Sequence, residues 1–206
     1  MVKTCFLKFL TKIQSNNKKL ISVEVIKKIR DREEQTDLWV LFAVVKKTPT
    51  EYIIQKATEL GASKIVPLIT ERTVTKSLNL KRFQDIAIEA SEQCERITIP
   101  EILPLQKLYD VIDDWVEKRT IYYGDETMRH DKHSLNNFNK STNASCGAVL
   151  VGPEGGFTTK EISYLKQKKF VIPINFGPRI LKSDTAVVTA LVLWHTLNGD
   201  MKNSFY

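Results

Sequence analysis

Cysteine is scarce in this chain and never paired along it. Cys5, Cys94 and Cys146 lie far apart and no C-x-x-C occurs, so neither a disulfide framework nor a zinc site is indicated, and a reducing cytoplasm suits the sequence. Long apolar runs are missing too. Lys8 and Lys12 interrupt the opening MVKTCFLKFLTKI, no small-residue cleavage site follows it, and nothing approaches the roughly 18 apolar residues of a membrane span. The expectation is a cytoplasmic protein that does not enter a membrane. Phosphate-binding signatures are also absent: there is no G-x-x-x-x-G-K-[ST] and no G-x-G-x-x-G, which argues against a P-loop and against a nicotinamide oxidoreductase. His130 and His133 form an H-x-x-H without a nearby third ligand, so no metal is expected.

What is present is an ordinary globular composition, 42% hydrophobic and 27% charged over 206 residues, enough for one domain and a small appendage. Thirty-one Lys and Arg stand against twenty-four Asp and Glu, a formal charge of +7. Such a balance favours a polyanionic partner, nucleic acid first, although it also serves solubility alone.

Residues 4–13 and 20–29 are rich in Phe, Ile and Val and flank a polar SNNK turn, the pattern of a hairpin. The charged DREEQTD stretch reads as a linker, after which Leu38 to Val45 is a nearly continuous apolar strand. Thr48-Pro-Thr-Glu51 has the form of a capping box with Pro at the first helical position, opening a helix that runs to Gly61. Strands are expected over 64–69, 120–123, 148–151 and 171–176. Helices are expected over 80–94, 105–116, from the second capping box Thr158-Thr-Lys-Glu161, and over 184–198. The alternation predicts an α/β fold with a mostly parallel sheet covered on both faces.

Three of these strands end in glycine-led loops: Gly124-Asp-Glu, Gly152-Pro-Glu-Gly-Gly-Phe157 and Gly177-Pro-Arg-Ile-Leu181. Ligands of open α/β sheets sit beyond the carboxyl ends of the strands, so neighbouring strands would bring the loops into one pocket walled by bare backbone. Glu154 would repel a pyrophosphate there. A ligand with an adenosine and a positive group, such as S-adenosylmethionine, fits better, and the alternative is that Gly-Pro-x-Gly-Gly is only a tight turn.

VGPEGGFTTKEI (151–162), FGPRILKSDTAVVTAL (176–191), IIQKATELGASKIVPLITERT (53–73) and AIEASEQCERITIPEI (87–102) together resemble the 16S rRNA (uracil-N3) methyltransferase family, a branch of the SPOUT methyltransferases. The resemblance implies a SPOUT-type α/β knot, a trefoil whose turns hold S-adenosylmethionine, over residues 37–206. Ahead of it, residues 1–36 would hold a shortened PUA-like RNA-binding β segment, where the family has a complete barrel. The implied reaction is methylation of N3 of a uridine in 16S rRNA, within the assembled small ribosomal subunit, by a homodimer. The closing helix is apolar all round at Ala186, Val187, Val188, Ala190, Leu191, Val192, Leu193 and Trp194, which asks for cover on every side. Two readings stay open beside this one: a related knotted enzyme with another RNA target, and a degenerate protein that binds rRNA without catalysis.

Carried over residue by residue, the resemblance puts the cofactor against Gly124, Leu150, Gly152, Pro153, Glu154, Gly155, Gly156, Phe157, Phe176, Gly177, Arg179, Ile180, Leu181 and Ala186. Arg179 is the first choice for contact with the target nucleotide. Glu154 and Asp184 are the acidic candidates for base work or for orienting the methionine ammonium, with helix capping the other role open to Asp184. The family's Leu-Arg-Thr-Glu-Thr is here Leu181-Lys-Ser-Asp-Thr185, and Lys182 cannot reproduce bidentate Arg contacts. Glu89, Gln93 and Arg96 fall at helical spacing as substrate or interface candidates. Glu59 and Arg72 are expected to fix the fold by polar contacts, and His195 to be packed or interfacial. Lys8, Lys12, Lys18, Lys19, Lys27, Lys28 and Arg30 either grip RNA backbone or are ordinary surface charge.

Overall fold

The computed structural model describes residues 8–17, 19–30, 36–75, 77–115, 118–129, 137 and 146–203. His130, His133, Lys18 and most of the DREEQTD stretch lie outside the described residues.

The hairpin forms, with a turn shorter than expected. Strand β1 (Lys8–Asn17) pairs antiparallel with β2 (Leu20–Arg30), and Asn17 closes the turn by accepting the backbone N–H of Leu20 at 2.8 Å. Its apolar side chains remain in solvent, Ile13 at 61% and Leu20 at 66% exposure. Arg30 reaches out of β2 to donate to the Glu95 carbonyl at 3.1 Å.

The remaining strands are β3 (Asp37–Ala43), β4 (Lys64–Ile69), β5 (Glu101–Ile102), β6 (Gln106–Lys107), β7 (Thr120–Gly124), β8 (Cys146–Val151) and β9 (Val171–Ile174). They form one seven-stranded sheet, parallel at every pairing, in the order β5-β4-β3-β8-β7-β9, with β6 also against β4. Helices α1 (Lys47–Glu59), α2 (Leu80–Gln93), α3 (Leu108–Asp113), α4 (Thr159–Lys166) and α5 (Ser183–Asn198) connect them. Successive strand residues point to opposite faces, and the core divides accordingly. Val40, Phe42, Tyr122 and Val149 pack with α1, α2 and α5, while Leu41, Ile121, Tyr123 and Leu150 pack with α3 and α4. This is the α/β class the sequence predicts. Pro173 sits in β9, the edge strand, where a missing N–H costs no ladder bond on the open side.

Three boundaries differ for physical reasons. No capping box forms at Thr48. Helix α1 begins two residues after Val45, without a side-chain cap, because the Thr50 hydroxyl instead donates to the Val45 carbonyl at 3.1 Å. The helix expected over 105–116 shrinks to α3, since Gln106 and Lys107 join the sheet beside Leu68 and Ile69. The apolar spacing still holds where it matters, with Leu108 and Ile112 buried. Third, β9 ends at Ile174, which releases Asn175 and Phe176 to the loop beyond.

Helix α5 lies against β8, where a Cβ on Gly147 would collide with the Trp194 indole nitrogen. Glycine is therefore what lets the helix dock so closely. The helix is not covered on every side: Val192 is 38% exposed, and the Thr189 and Thr196 hydroxyls on the outer face bond back to Thr185 and Val192 carbonyls of the same helix.

Candidate functional site

Beyond the carboxyl ends of β7, β8 and β9 the three glycine-led loops meet around a cavity of about 190 Å³. Gly124, Gly152, Pro153, Gly155, Gly156 and Phe157 line it from the first two loops. Phe176, Gly177, Arg179, Ile180, Leu181 and Ala186 line it from the third and from α5. Two cradle positions require glycine: Gly156 at φ 66° and Gly177 at φ 106° lie in the left-handed region, and a Cβ at either would meet nothing within 4 Å. The backbone there faces open space rather than packed side chains. The wall opposite is apolar, from Phe157, Phe176, Ile162, Ile174 and Leu181. A flat base suits this apolar lining and the space left open beside the two glycines, so the residues fit the adenosine part of S-adenosylmethionine.

Other members of the wall carry no local sequence signal. Arg72, from the turn after β4, lines the cavity and donates to the Gly155 carbonyl. Asp125, 4% exposed, accepts from the Tyr123 hydroxyl at 2.9 Å, from the Thr127 hydroxyl at 2.6 Å, and from Lys166 at 3.2 Å. Burial works against its charge, but the bonds from Thr127, Tyr123 and Lys166 together outweigh burial and hold the carboxyl below its usual range. Burial and then the Asp125 charge push the Tyr123 phenol up. Both groups keep a single protonation state at neutral pH.

The cradle is tied to the turn after β4 by carboxylates. The capping box at Thr158 forms as expected, with the hydroxyl accepting Glu161 N–H at 3.2 Å and the Glu161 carboxylate accepting Thr158 N–H at 2.8 Å. Glu161 is fully buried, and its other oxygen accepts the Glu71 backbone N–H at 2.8 Å. Glu71 in turn accepts the hydroxyls of Thr158 and Tyr109, each at 2.9 Å, and these bonds lower its carboxyl.

Of the other candidates, Leu150 is wholly buried in the core beneath the cavity, and Glu154 is exposed on the turn without lining it. Lys182 is the residue before α5, and Asp184, in its first turn, accepts the Thr185 N–H at 2.8 Å. Glu89 and Gln93 share a hollow between α1 and α2 with Tyr52 and Arg82. Arg96 does not share their helical face, because α2 ends at Gln93 and Glu95 turns the chain at φ 57°. Its guanidinium donates instead to the Thr58 and Ala62 carbonyls, at 2.7 and 2.6 Å, closing the end of α1. Burial lowers its pKa to about 10. Glu59 pairs with Lys56 at 2.6 Å. His195 is 1% exposed, with Nδ1 2.8 Å from Asp200 and burial pushing its pKa down. Among the described residues no group of side chains could hold a metal ion, and no helix is long and apolar enough to cross a membrane.

The comparisons agree with this geometry. A family model described as an RNA methyltransferase domain matches residues 32–195. A ribosomal RNA small subunit methyltransferase E from Rickettsia conorii is 33% identical over 185 residues, covering 89% of this chain and 74% of the relative. A structure of the Neisseria gonorrhoeae ribosomal RNA small subunit methyltransferase E bound to S-adenosyl methionine superposes with a TM-score of 0.81 at 24% identity, covering 94% of this chain and 80% of that one. A putative methyltransferase from Legionella pneumophila, in complex with the same cofactor, gives 0.77 at 30% identity with the same coverage. The cradle, its parallel sheet and these matches converge: the chain belongs to the ribosomal RNA small subunit methyltransferase E family of RNA methyltransferase domains.

Proposed function

We propose that this protein methylates N3 of a specific uridine in 16S rRNA, using S-adenosylmethionine, in the cytoplasm and within the assembled small subunit. The observation that carries the reading is the convergence of three glycine-led loops on one cavity at the carboxyl ends of β7, β8 and β9. The cofactor, when bound, supplies an electrophilic methyl group on a sulfonium. The chain's part is placement. Gly156 and Gly177 leave open to the cofactor the space a side chain would fill, Phe157 and Phe176 give its base an apolar wall, and holding two reactants at near-attack distance removes much of the entropic barrier. Arg179, exposed at the cavity, is suited to grip the target nucleotide through a phosphate, and the N3 proton leaves to solvent. Asp125 is held ionised by four donors and serves to fix the loop and its charge.

Residues 1–36 read as a partial PUA-like RNA-binding segment and 37–206 as the α/β-knot domain. Lys27, Lys28 and Arg30 on β2 give the segment the charge that phosphate contact needs. A homodimer is supported by the outer strip of α5, where Val192 is exposed and Val188 half-buried beside threonines whose hydroxyls are already satisfied.

The test is to incubate the protein with methyl-labelled S-adenosylmethionine and small ribosomal subunits lacking the modification, then separate the RNA nucleosides. The expected result is label in 3-methyluridine. Label in another nucleoside would overturn the target, and no label from folded, cofactor-loaded protein would favour binding without catalysis.

A further inference from the structure

Two guanidiniums on the rim of the cavity hold none of the described residues. Arg129 follows the short helical turn after β7, Arg179 lies in the turn after β9, and both line the cavity. Among the described residues neither side chain makes a hydrogen bond or ion pair, in contrast to Arg72, which is engaged by the Gly155 carbonyl. Glu126 shares the rim and pairs with neither. A single free arginine on a surface is ordinary solvated charge.

These two are set apart by what joins their turns. Asn175 is 7% exposed, and its side-chain amide spans both. Nδ2 donates to the Met128 carbonyl at 2.8 Å, one residue before Arg129, and Oδ1 accepts the N–H of Gly177, two residues before Arg179. Asp125 N–H donates to the Ile174 carbonyl at 2.9 Å and adds a backbone tie at the base of the same pair. Two planar forks that no described residue engages, on one cavity and with the turns that carry them held by a buried amide, make a preorganised receptor for an anion with several oxygens.

We propose that Arg129 and Arg179 clamp the phosphodiester backbone of the RNA strand that delivers its base to the cavity, with Asn175 as the positioning residue that sets their spacing. This rests on the reading of the site as an RNA methyltransferase. A base that is to be methylated leaves its stack, and the phosphates flanking it are then the anions nearest the rim. The other anion available is the methionyl carboxylate of the cofactor, and cofactor affinity separates the two sources.

The experiment measures binding of the cofactor-loaded protein to small ribosomal subunits lacking the modification, across a salt series, for the unaltered protein, R129A, R179A, R129K and N175D. Affinity for S-adenosylmethionine and thermal unfolding are followed in parallel. Each arginine-to-alanine change is expected to weaken subunit binding about tenfold, the scale of one charge-assisted hydrogen bond. It should also reduce the steepness of the salt dependence by about 0.7 for each phosphate no longer held, with cofactor affinity falling far less than subunit binding. R129K keeps the charge and should keep the salt dependence. N175D sets a carboxylate oxygen against the Met128 carbonyl. It should weaken binding in the parent and add nothing in the R129A R179A background, which a general loss of structure would not reproduce. If N175D fails to fold, the exposed arginine variants carry the test alone. Unchanged binding and salt dependence in both arginine variants would overturn the clamp, as would a matching fall in cofactor affinity. An unaltered protein that neither binds nor methylates the subunits would remove the underlying reading, and the clamp with it.

Discussion

The Glu161 carboxylate accepts the Glu71 backbone N–H at 2.8 Å across ninety residues of chain, while its second oxygen accepts the N–H of Thr158 at the end of the cradle. One buried side chain thus holds the turn after β4 and the cofactor loop in register.

Glu161→Gln tests this with almost no change of shape. Both carboxylate oxygens already accept from backbone donors, so whichever way the amide turns, its NH₂ meets an N–H. The variant should lose about 2 kcal/mol of stability, the cost of an unmade buried bond. It should also bind S-adenosylmethionine more weakly, with kcat at saturating cofactor little altered. Calorimetric titration and denaturant unfolding check both, and parental cofactor affinity would show that the Glu71 turn does not hold the cradle.

Gly177→Ala and Gly124→Ala separate strain from collision. At Gly177 a Cβ meets nothing, so the penalty is that of a left-handed alanine, about 1–2 kcal/mol. At Gly124 a Cβ would lie 2.5 Å from the Phe176 ring, which must move out of the cavity wall. Gly124→Ala should therefore lose more cofactor affinity than Gly177→Ala, as read by titration of each variant, and the reverse order would refute this account of the wall.

Acid should loosen the fold at two places, Asp125 beside the cavity and Asp37 at the opposite end of the sheet. Asp125 and Asp37 both have carboxyls held below the ordinary aspartate value of 3.8; burial raises each, and the hydrogen bonds around it prevail. A lowered folded value means that the stability they contribute is complete above 3.8 and is lost as the pH falls through the lower folded value. Asp125→Asn should flatten that part of the stability curve. Urea unfolding from pH 6 down to pH 2 measures it, and an unchanged slope would show that Asp125 is not a source of the acid sensitivity.

Much of this site was legible in order along the chain. The apolar run of β8, the glycine loop behind it and the Thr158 capping box are local signals, and each element lies where its residues put it. What was hidden depends on groups distant in sequence. Arg72 stands in a block that suggests only a structural role, and nothing near Asn175 announces that its amide spans two turns. Arg129 adjoins a long polar stretch with no periodicity. Spacing misled at Arg96, because one residue at positive φ ends the helix before it. Strands β5 and β6, two residues each, are too short to show a period at all. The Thr48 box failed because a neighbouring hydroxyl offered the backbone a competing partner.

The place of β3 in the sheet bears on how the chain is made. Its residues Trp39 to Phe42 pair on one side with β4, which follows closely, and on the other with Ala148 to Val151, about a hundred residues later in translation, a separation of the kind that slows folding. Until β8 has been made, an apolar edge at the centre of the future sheet has no partner and is open to wrong pairing with other chains. The cavity, assembled from β7, β8 and β9, is among the last features to form, so the centre of the sheet is begun long before the elements that line the cofactor site exist.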